Sequence, residues 1–314
     1  FIALPGLTLS IGESDYFELV MATAEQGLRE FMEGKDLSVA ITEMDKPDVM
    51  LWCIWAIQQY AKEVGTEQCI EKYGKLLHDL LTYIIDGKHP NLLLHDNGLV
   101  YAEGKNTAIT WMNAMLDGRP VNPRSGYIVE FNALWYNDIR FAAELLRNGE
   151  TAELVEQLDT IATLCKETFV KTFVNQYGYL YDYVDGNMVD WSVRPNMILA
   201  AALDYSPLEQ NQKKNIVDIC TRELLTPKGL RSLSPKSEGF TPVCAGDNNY
   251  RTRIYHQGTA WPWLGGFYLE ACMKLYKRTR LSFIERQLVG YEDETITHCL
   301  GTIPEYFDGN PPYK

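Results

Sequence analysis

The chain has 314 residues, 46% of them hydrophobic and 12% aromatic, enough to bury a large core as one domain or two. Its formal charge of -13 repels a polyanion and no basic stripe overrides that average, so no nucleic-acid partner is expected. No run of about 18 uncharged apolar residues occurs, so nothing is expected to span a membrane.

The opening FIALPGLTLS has no Met and no basic stretch ahead of an apolar one, so it does not read as a signal peptide. With the abrupt end at NPPYK, the chain reads as a piece of a longer one. A first helix is expected over 14–33. The next, over 48–63 (DVMLWCIWAIQQYAKE), is apolar most of the way round and predicts an inner helix buried on more than one side. Ile70, Tyr73, Leu77, Leu80 and Ile84 share one face of a helix over 66–85. An Asn-Gly pair between apolar runs in LLLHDNGLVYA, 92–102, predicts a hairpin.

Helices over 125–147 and 150–173 follow, the second with Leu154, Leu158, Ile161, Cys165 and Phe169 on one face. In GYLYDYVDG, 178–186, tyrosines alternate at 179, 181 and 183 before an Asp185-Gly186 turn signal, a second short strand pair. The remaining helices are expected over 195–203, 207–225, 259–277 and 281–299. Thr259 is the candidate N-cap of the third of these, and Pro262 is tolerated in its first turn because a missing N–H costs nothing there. There is no βαβ alternation, G-x-G-x-x-G, P-loop or G-x-S-x-G elbow, which argues against dinucleotide, nucleotide and serine-nucleophile chemistry.

Seven cysteines (Cys53, Cys69, Cys165, Cys220, Cys244, Cys272 and Cys299) are scattered with no C-x-x-C pair. That pattern favours free thiols in a reducing compartment over a disulfide framework. No H-E-x-x-H or dense His/Cys cluster occurs, so neither a transition metal nor another cofactor is expected; calcium on loop carboxylates stays open.

Between the helices run long connections rich in polar, aromatic and glycine residues, over 86–125, 174–194, 226–257 and from 302 onward. Function concentrates on loops held by a rigid scaffold, and a helical barrel with one crowded mouth fits the alternation. Trp52 and Trp55 belong to the inner helix and read as core. Trp111, Trp135, Trp191, Trp261 and Trp263 lie in or beside the polar loops, where an indole either packs or meets the apolar C–H face of a sugar. In IYHQGTAWPWLGGF, His256 and Gln257 either pin a turn or line a pocket at the helix mouth, and the polar-aromatic setting favours the pocket.

Glycoside hydrolysis needs one protonated acid and one carboxylate across the scissile bond. The carboxyl groups in loop context are Asp117, Glu130, Asp185, Asp190, Glu238, Asp247, Glu305 and Asp308. Glu305, in GTIPEYFDG, stands out: it follows Pro304, adjoins aromatic residues and precedes a turn, so it is placed to be held partly desolvated at a cleft.

Several stretches in order along the chain (ALPGLTL, LWCIWAIQQY, ITWMNAMLDGRPVNPRSGYIVEFNALWYN, WSVRPNM, LLTPKGLRSLSP, YHQGTAWPWL and IPEYFDG) together resemble the α-1,6-glucosidase domain of glycogen debranching enzymes. The resemblance implies an all-α (α/α)6 toroid, here one domain over 1–314 with long loops and short β-hairpins at one mouth. It implies a cytoplasmic, cofactor-free enzyme that hydrolyses single α-1,6-linked glucose stubs on glycogen or a related α-glucan, with inversion. A partner domain elsewhere in a longer chain is part of the same expectation, as are a Gly-Arg-Asp stretch before ALPGLTL and a further helix after the FDG segment. Glu305 matches the position of the family's base. Trp111, Glu130, Trp135, Trp191, Arg194, Asn196, Arg231, His256, Gln257 and Trp261 are the expected substrate contacts.

Where family members commonly carry an aspartate after Trp-Met, this chain has Asn113, and an amide cannot donate a proton as a carboxylic acid does. Either Asp117 or Glu130 supplies the acid, or the domain is a weakened one that keeps glucan binding, or the residue was changed deliberately. Another (α/α)6 exo-glycosidase, acting on trehalose-like or oligosaccharide glucosides, is the alternative enzyme class.

Overall fold

The computed structural model describes residues 1–147, 152–297 and 301–314. They form mostly helices with small antiparallel sheets, in two compact units: Phe1–Glu103 with Leu134–Thr168, and Gly104–Ala133 with Phe169–Lys314. Among the described residues no helix is long and apolar enough to cross a membrane.

The first unit opens with α1 (Leu4–Leu7), a 3-10 turn (Leu9–Ile11) and α2 (Ser14–Met32), followed by α3 (Val49–Val64) and α4 (Thr66–Ile85). As its composition predicts, α3 is buried nearly all round, from Met50 through Ile57 to Ala61. Gly65 joins α3 to α4 with φ 94°, a conformation only glycine adopts without strain. Tyr73, Leu77, Leu80 and Ile84 bury the predicted face of α4, each fully buried aliphatic side chain contributing roughly 1.5–3 kcal/mol; Ile70, expected on that face, is exposed. Strands β1 (Leu93–Leu94) and β2 (Val100–Tyr101) form the expected hairpin about Asn97-Gly98. Gly98 approaches α6 (Ala152–Phe173) so closely that a Cβ there would lie 2.7 Å from the Cys165 backbone nitrogen.

The second unit carries the loops. Asp117 (φ 50°) and Gly118 (φ 74°) turn β3 (Met115–Leu116) into β4 (Arg119–Pro120), the left-handed pair that a two-residue hairpin requires. Strand β5 (Tyr127–Ile128) pairs with β6 (Tyr183–Asp185), which pairs with β7 (Met188–Val189) across Gly186. This pairing withholds residues 127 and 128 from the helix expected over 125–147, so α5 spans Val129–Leu146.

The 195–203 stretch is a 3-10 turn (Pro195–Met197) running into α7 (Ile198–Ala202). Next, α8 (Gln210–Glu223) starts on a reciprocal capping box between Glu209 and Gln212. A second three-stranded sheet follows, β8 (Leu225–Thr226) and β10 (Ala260–Trp261) flanking β9 (Gly229–Arg231). Short α9 (Asn248–Ile254) precedes β10, and α10 (Pro262–Tyr276) packs on α7 and α8. The helix expected over 281–299 is broken into α11 (Leu281–Val289) and α12 (Glu294–Thr297), and Cys299 lies outside the described residues.

Thr259 does not cap α10. Ala260 and Trp261 are extended because they pair with Arg231 and Leu230, so the helix begins one residue after Trp261, with Pro262 in its first turn. The Thr259 hydroxyl instead donates to the Tyr255 carbonyl at 2.6 Å and accepts from Trp261 Nε1 at 2.9 Å.

Candidate active site

The candidate site is built within the second unit, from the loops around β5, β6 and β10. Its deepest part is ionic. Arg124 donates through Nε to Asp182 Oδ2 at 2.7 Å, and grips Glu130 with both terminal nitrogens, Nη2 to Oε2 at 2.7 Å. All three side chains are at most 3% exposed. Burial alone would lower the Arg124 pKa, but Asp182 and Glu130 outweigh it and hold the guanidinium above its ordinary value. Burial also pushes Asp182 up, against the pull of Arg124. The second Asp182 oxygen accepts from Asn196 Nδ2 at 2.7 Å, and Asn196 Oδ1 accepts from Trp111 Nε1 at 2.7 Å. One chain of bonds thus fixes the Trp111 ring from below.

Above it lies an aromatic wall. His256 stacks on Trp261 with centroids 5.1 Å apart and planes 12° apart, and meets Trp111 and Tyr255 edge-on at 5.1 and 4.8 Å. It is 0% exposed, with both ring nitrogens shut off from solvent. Burial, then the charge of Arg194, pushes its pKa down to about 3, so the imidazole is neutral. Arg194 reaches the backbone carbonyls of His256 and Ser232 at 2.9 and 3.0 Å, and the Gln257 Oε1 at 3.2 Å.

Glu305 is carried on a segment tied down just after it. Phe307 exchanges backbone hydrogen bonds with Ala260 at 2.8 Å each way, and Arg231 Nε donates to the Gly309 carbonyl at 2.7 Å. Gly309 has to be glycine, because a Cβ would fall 1.8 Å from the Gly258 carbonyl oxygen. So held, Glu305 is exposed rather than partly desolvated as expected; it accepts a hydrogen bond from the Tyr255 hydroxyl, and Tyr306 packs edge-on against Tyr255 with centroids 4.9 Å apart. Tyr255 and Tyr306 then line a cavity of about 320 Å³ with Asn113, Ala114, Asn248, Arg251 and Thr252.

The residues singled out from the sequence separate into three groups. Asn113 lines the cavity directly, and Glu305 adjoins it through Tyr255. Trp111, Trp261, Asn196, Arg194, Gln257 and Arg231 form the support behind it, Trp261, Asn196 and Arg194 being buried. His256, expected to line a pocket, is enclosed by rings and does not border the cavity. The third group lies away from the cavity wall. Trp135 is 0% exposed in the first unit and spends its indole N–H on the Gly98 carbonyl at 3.1 Å, which makes it core. Glu130 is locked to Arg124, Asp117 is exposed at the tip of the β3–β4 turn, and Trp191 is exposed beside Tyr177 and Tyr181. Neither Asp117 nor Glu130 borders the cavity where an acid is wanted.

Sequence reasoning missed Arg124, Asp182, Tyr255, Tyr306 and Arg251. Asp182 left a trace: tyrosines alternating on one side put residues 180 and 182 on the other, and both are buried. Arg251 left none, since DNNYRTR has no apolar period.

The profile of the family described as amylo-alpha-1,6-glucosidase matches residues 1–314. The glycogen debranching enzyme of Saccharomyces cerevisiae is 25% identical over 244 aligned residues, covering 63% of this chain and only 16% of the yeast protein. Among solved structures, the GH63 mannosylglycerate hydrolase from Thermus thermophilus in complex with glucose superposes with a TM-score of 0.57 at 13% identity, covering 85% of this chain and 70% of that one. A sialidase structure gives a TM-score of 0.66 at 15% identity, over 88% of this chain and 24% of that one. At such identities the likeness is one of fold.

Proposed function

This chain belongs to the amylo-α-1,6-glucosidase family of glycoside hydrolases, and from that premise we propose that it takes α-1,6-linked glucose stubs of glycogen or a related branched α-glucan and releases glucose with inversion. The observation that carries the reading is the seat of Glu305. Its carboxylate accepts from Tyr255, whose ring lines the same cavity as Tyr306 and Asn113. Glu305 is the general base: it takes a proton from a water that attacks the anomeric carbon, which an inverting enzyme accommodates by keeping its two reacting groups about 6.5–9.5 Å apart. The rings of Tyr255 and Tyr306 offer apolar faces to the sugar, and Arg124, Asp182 and Asn196 hold the wall in place.

The same reading carries the helical pairs into the family's (α/α)6 plan and sets the chain in a reducing cytoplasm. The six cysteines among the described residues are free, which agrees with that setting. Because the chain spans 16% of the yeast relative, a partner domain in a longer protein belongs to the proposal as well. Glucose release from a limit dextrin trimmed to its α-1,6 stubs tests it, with Glu305→Gln alongside. Glucose that disappears in the variant supports the reading, and glucose unaffected by the variant removes Glu305 from the chemistry.

A second reading is favoured by one observation, that Asn113 and no carboxylic acid forms the cavity wall. Under it the domain binds branched glucan without turning it over. Retention on immobilised glycogen, with no glucose released and activity gained by Asn113→Asp, would distinguish it.

A further inference from the structure

We propose that the cavity is suited to an α-glucosyl unit whose leaving group departs as an anion, a phosphate gripped by Arg251, and that it hydrolyses this bond without a general acid. The inference rests on the reading of Glu305 as base.

Its first ground is the lining. Breaking a sugar–sugar bond expels an alkoxide, which must be protonated as it leaves. None of Asn113, Ala114, Asn248, Arg251, Thr252, Tyr255 and Tyr306 is a carboxylic acid. The two phenols hold their protons tightly, since burial pushes Tyr306 up to about 12 and Tyr255 higher still. The neighbouring carboxyl groups are committed elsewhere. Glu305 accepts from Tyr255, Asp308 accepts from the Cys244 N–H at 2.9 Å, and Asp247 caps α9 through the Tyr250 N–H at 2.8 Å. A phosphate leaves as a stable anion and needs no proton from the protein.

The second ground is Arg251. In a chain of net charge -13, the cavity wall presents a guanidinium that donates one N–H to Asn248 Oδ1 at 2.7 Å and pairs with no described carboxylate. A guanidinium has five donors in a planar fork, so the rest are open to a tetrahedral oxyanion, which such a fork grips through two parallel bonds. A sugar hydroxyl would leave that charge unused. At about 320 Å³ the cavity falls within the range of small-ligand sites.

The reaction balances with these groups alone. Water oxygen bonds to the anomeric carbon from the side opposite the leaving group, and one water proton passes to the Glu305 carboxylate. The carbon–oxygen bond of the glucosyl phosphate monoanion breaks, its electron pair leaving on hydrogen phosphate beside Arg251. The products are glucose of inverted configuration and inorganic phosphate.

The test uses the full-length protein with three substrates: α-glucosyl phosphate, α-glucosyl fluoride and the stub-bearing limit dextrin. Arg251→Met and Glu305→Gln are measured beside the parent, and oxygen-labelled water reports which bond breaks. The expected result is that phosphate and fluoride react faster than dextrin, with the label in glucose. Arg251→Met lowers kcat/KM for the phosphate by about 100-fold, as losing one oxyanion donor does. It lowers fluoride turnover far less than phosphate turnover, an unshifted thermal unfolding midpoint shows the variant folded, and Glu305→Gln abolishes both. Fluoride turnover without phosphate turnover overturns this inference and spares the base. So does an equal effect of Arg251→Met on both substrates, dextrin as the fastest substrate, or label appearing in phosphate. Fluoride turnover that ignores Glu305→Gln, or no turnover of any substrate, removes the base reading and this inference with it.

Discussion

Arg124 Nε lies 2.7 Å from Asp182 Oδ2, both side chains buried, and the same guanidinium grips Glu130. Removing the cation leaves two carboxylates facing each other away from water, a worse state than never having buried the pair. Arg124→Met should therefore cost about 3–5 kcal/mol of stability. Urea unfolding of the variant reads it, and a loss under 1 kcal/mol, on the order of an exposed ion pair, would mean the cluster is open to solvent.

His256 sets an acid limit. Its folded pKa is depressed to about 3 by burial and then by Arg194, from an unfolded value near 6.5. Its contribution to stability is therefore complete above pH ~6.5 and is lost as pH falls towards 3, because the unfolded chain binds the proton first. His256→Phe, which keeps a ring between Trp261 and Trp111, should flatten the decline across that window by on the order of 3–4 kcal/mol. Denaturation midpoints at pH 7 and pH 4 check this, and an unchanged slope would disprove it.

Asp138 acts with the opposite sign. It is 0% exposed in the first unit, with Oδ1 accepting from Asn137 at 3.2 Å and Oδ2 meeting no partner among the described residues. Burial raises its pKa well above the ordinary carboxylate value, so the folded state keeps the proton and stability falls as pH rises above ~4. Asp138→Asn should raise stability at neutral pH by about 1–3 kcal/mol, with the gain shrinking as pH drops. Thermal unfolding at pH 8 and pH 5 reads the difference, and destabilisation at both would count against a protonated carboxyl.

Trp135 and Trp191 should separate stability from binding. Trp135→Ala removes a fully buried indole and its bond to Gly98, and should cost about 3–5 kcal/mol. Trp191→Ala truncates a side chain 42% exposed and should leave the unfolding midpoint within about 0.5 kcal/mol. Retention on immobilised glycogen then reports whether Trp191 contacts glucan, and full retention would exclude it.

Tyr255 positions Glu305. Tyr255→Phe keeps the ring packed on His256, Trp261 and Tyr306 and removes only the O–H that Glu305 accepts. It should lower kcat by about 10-fold or more with KM little changed, since a displaced base loses rate more than affinity. Equal losses in both constants would make the hydroxyl a substrate contact.

Much of this molecule was legible in the sequence because helix periodicity and turn chemistry are local. The α3 burial, the α4 face from Tyr73 to Ile84 and the Asn97-Gly98 hairpin each depend on residues a few positions apart. The setting of Glu305 between Pro304 and Tyr306, and the amide at Asn113, were visible in the same way, as were the ordered stretches carrying the family resemblance.

Tertiary structure alone decided what joins distant residues. Tyr255 meets Glu305 across 50 positions and Arg124 meets Asp182 across 58, pairings that no local period encodes. Ala260 and Trp261 are withdrawn from a helix because Arg231, Leu230 and Phe307 bond them as strand. Five loop-side tryptophans look alike in sequence, yet Trp135 is core and Trp191 is open to water, because burial depends on which distant surface closes over a ring. For the same reason Arg251, one of two arginines in α9, became part of a cavity wall only once Asn113, Tyr255 and Tyr306 were folded beside it.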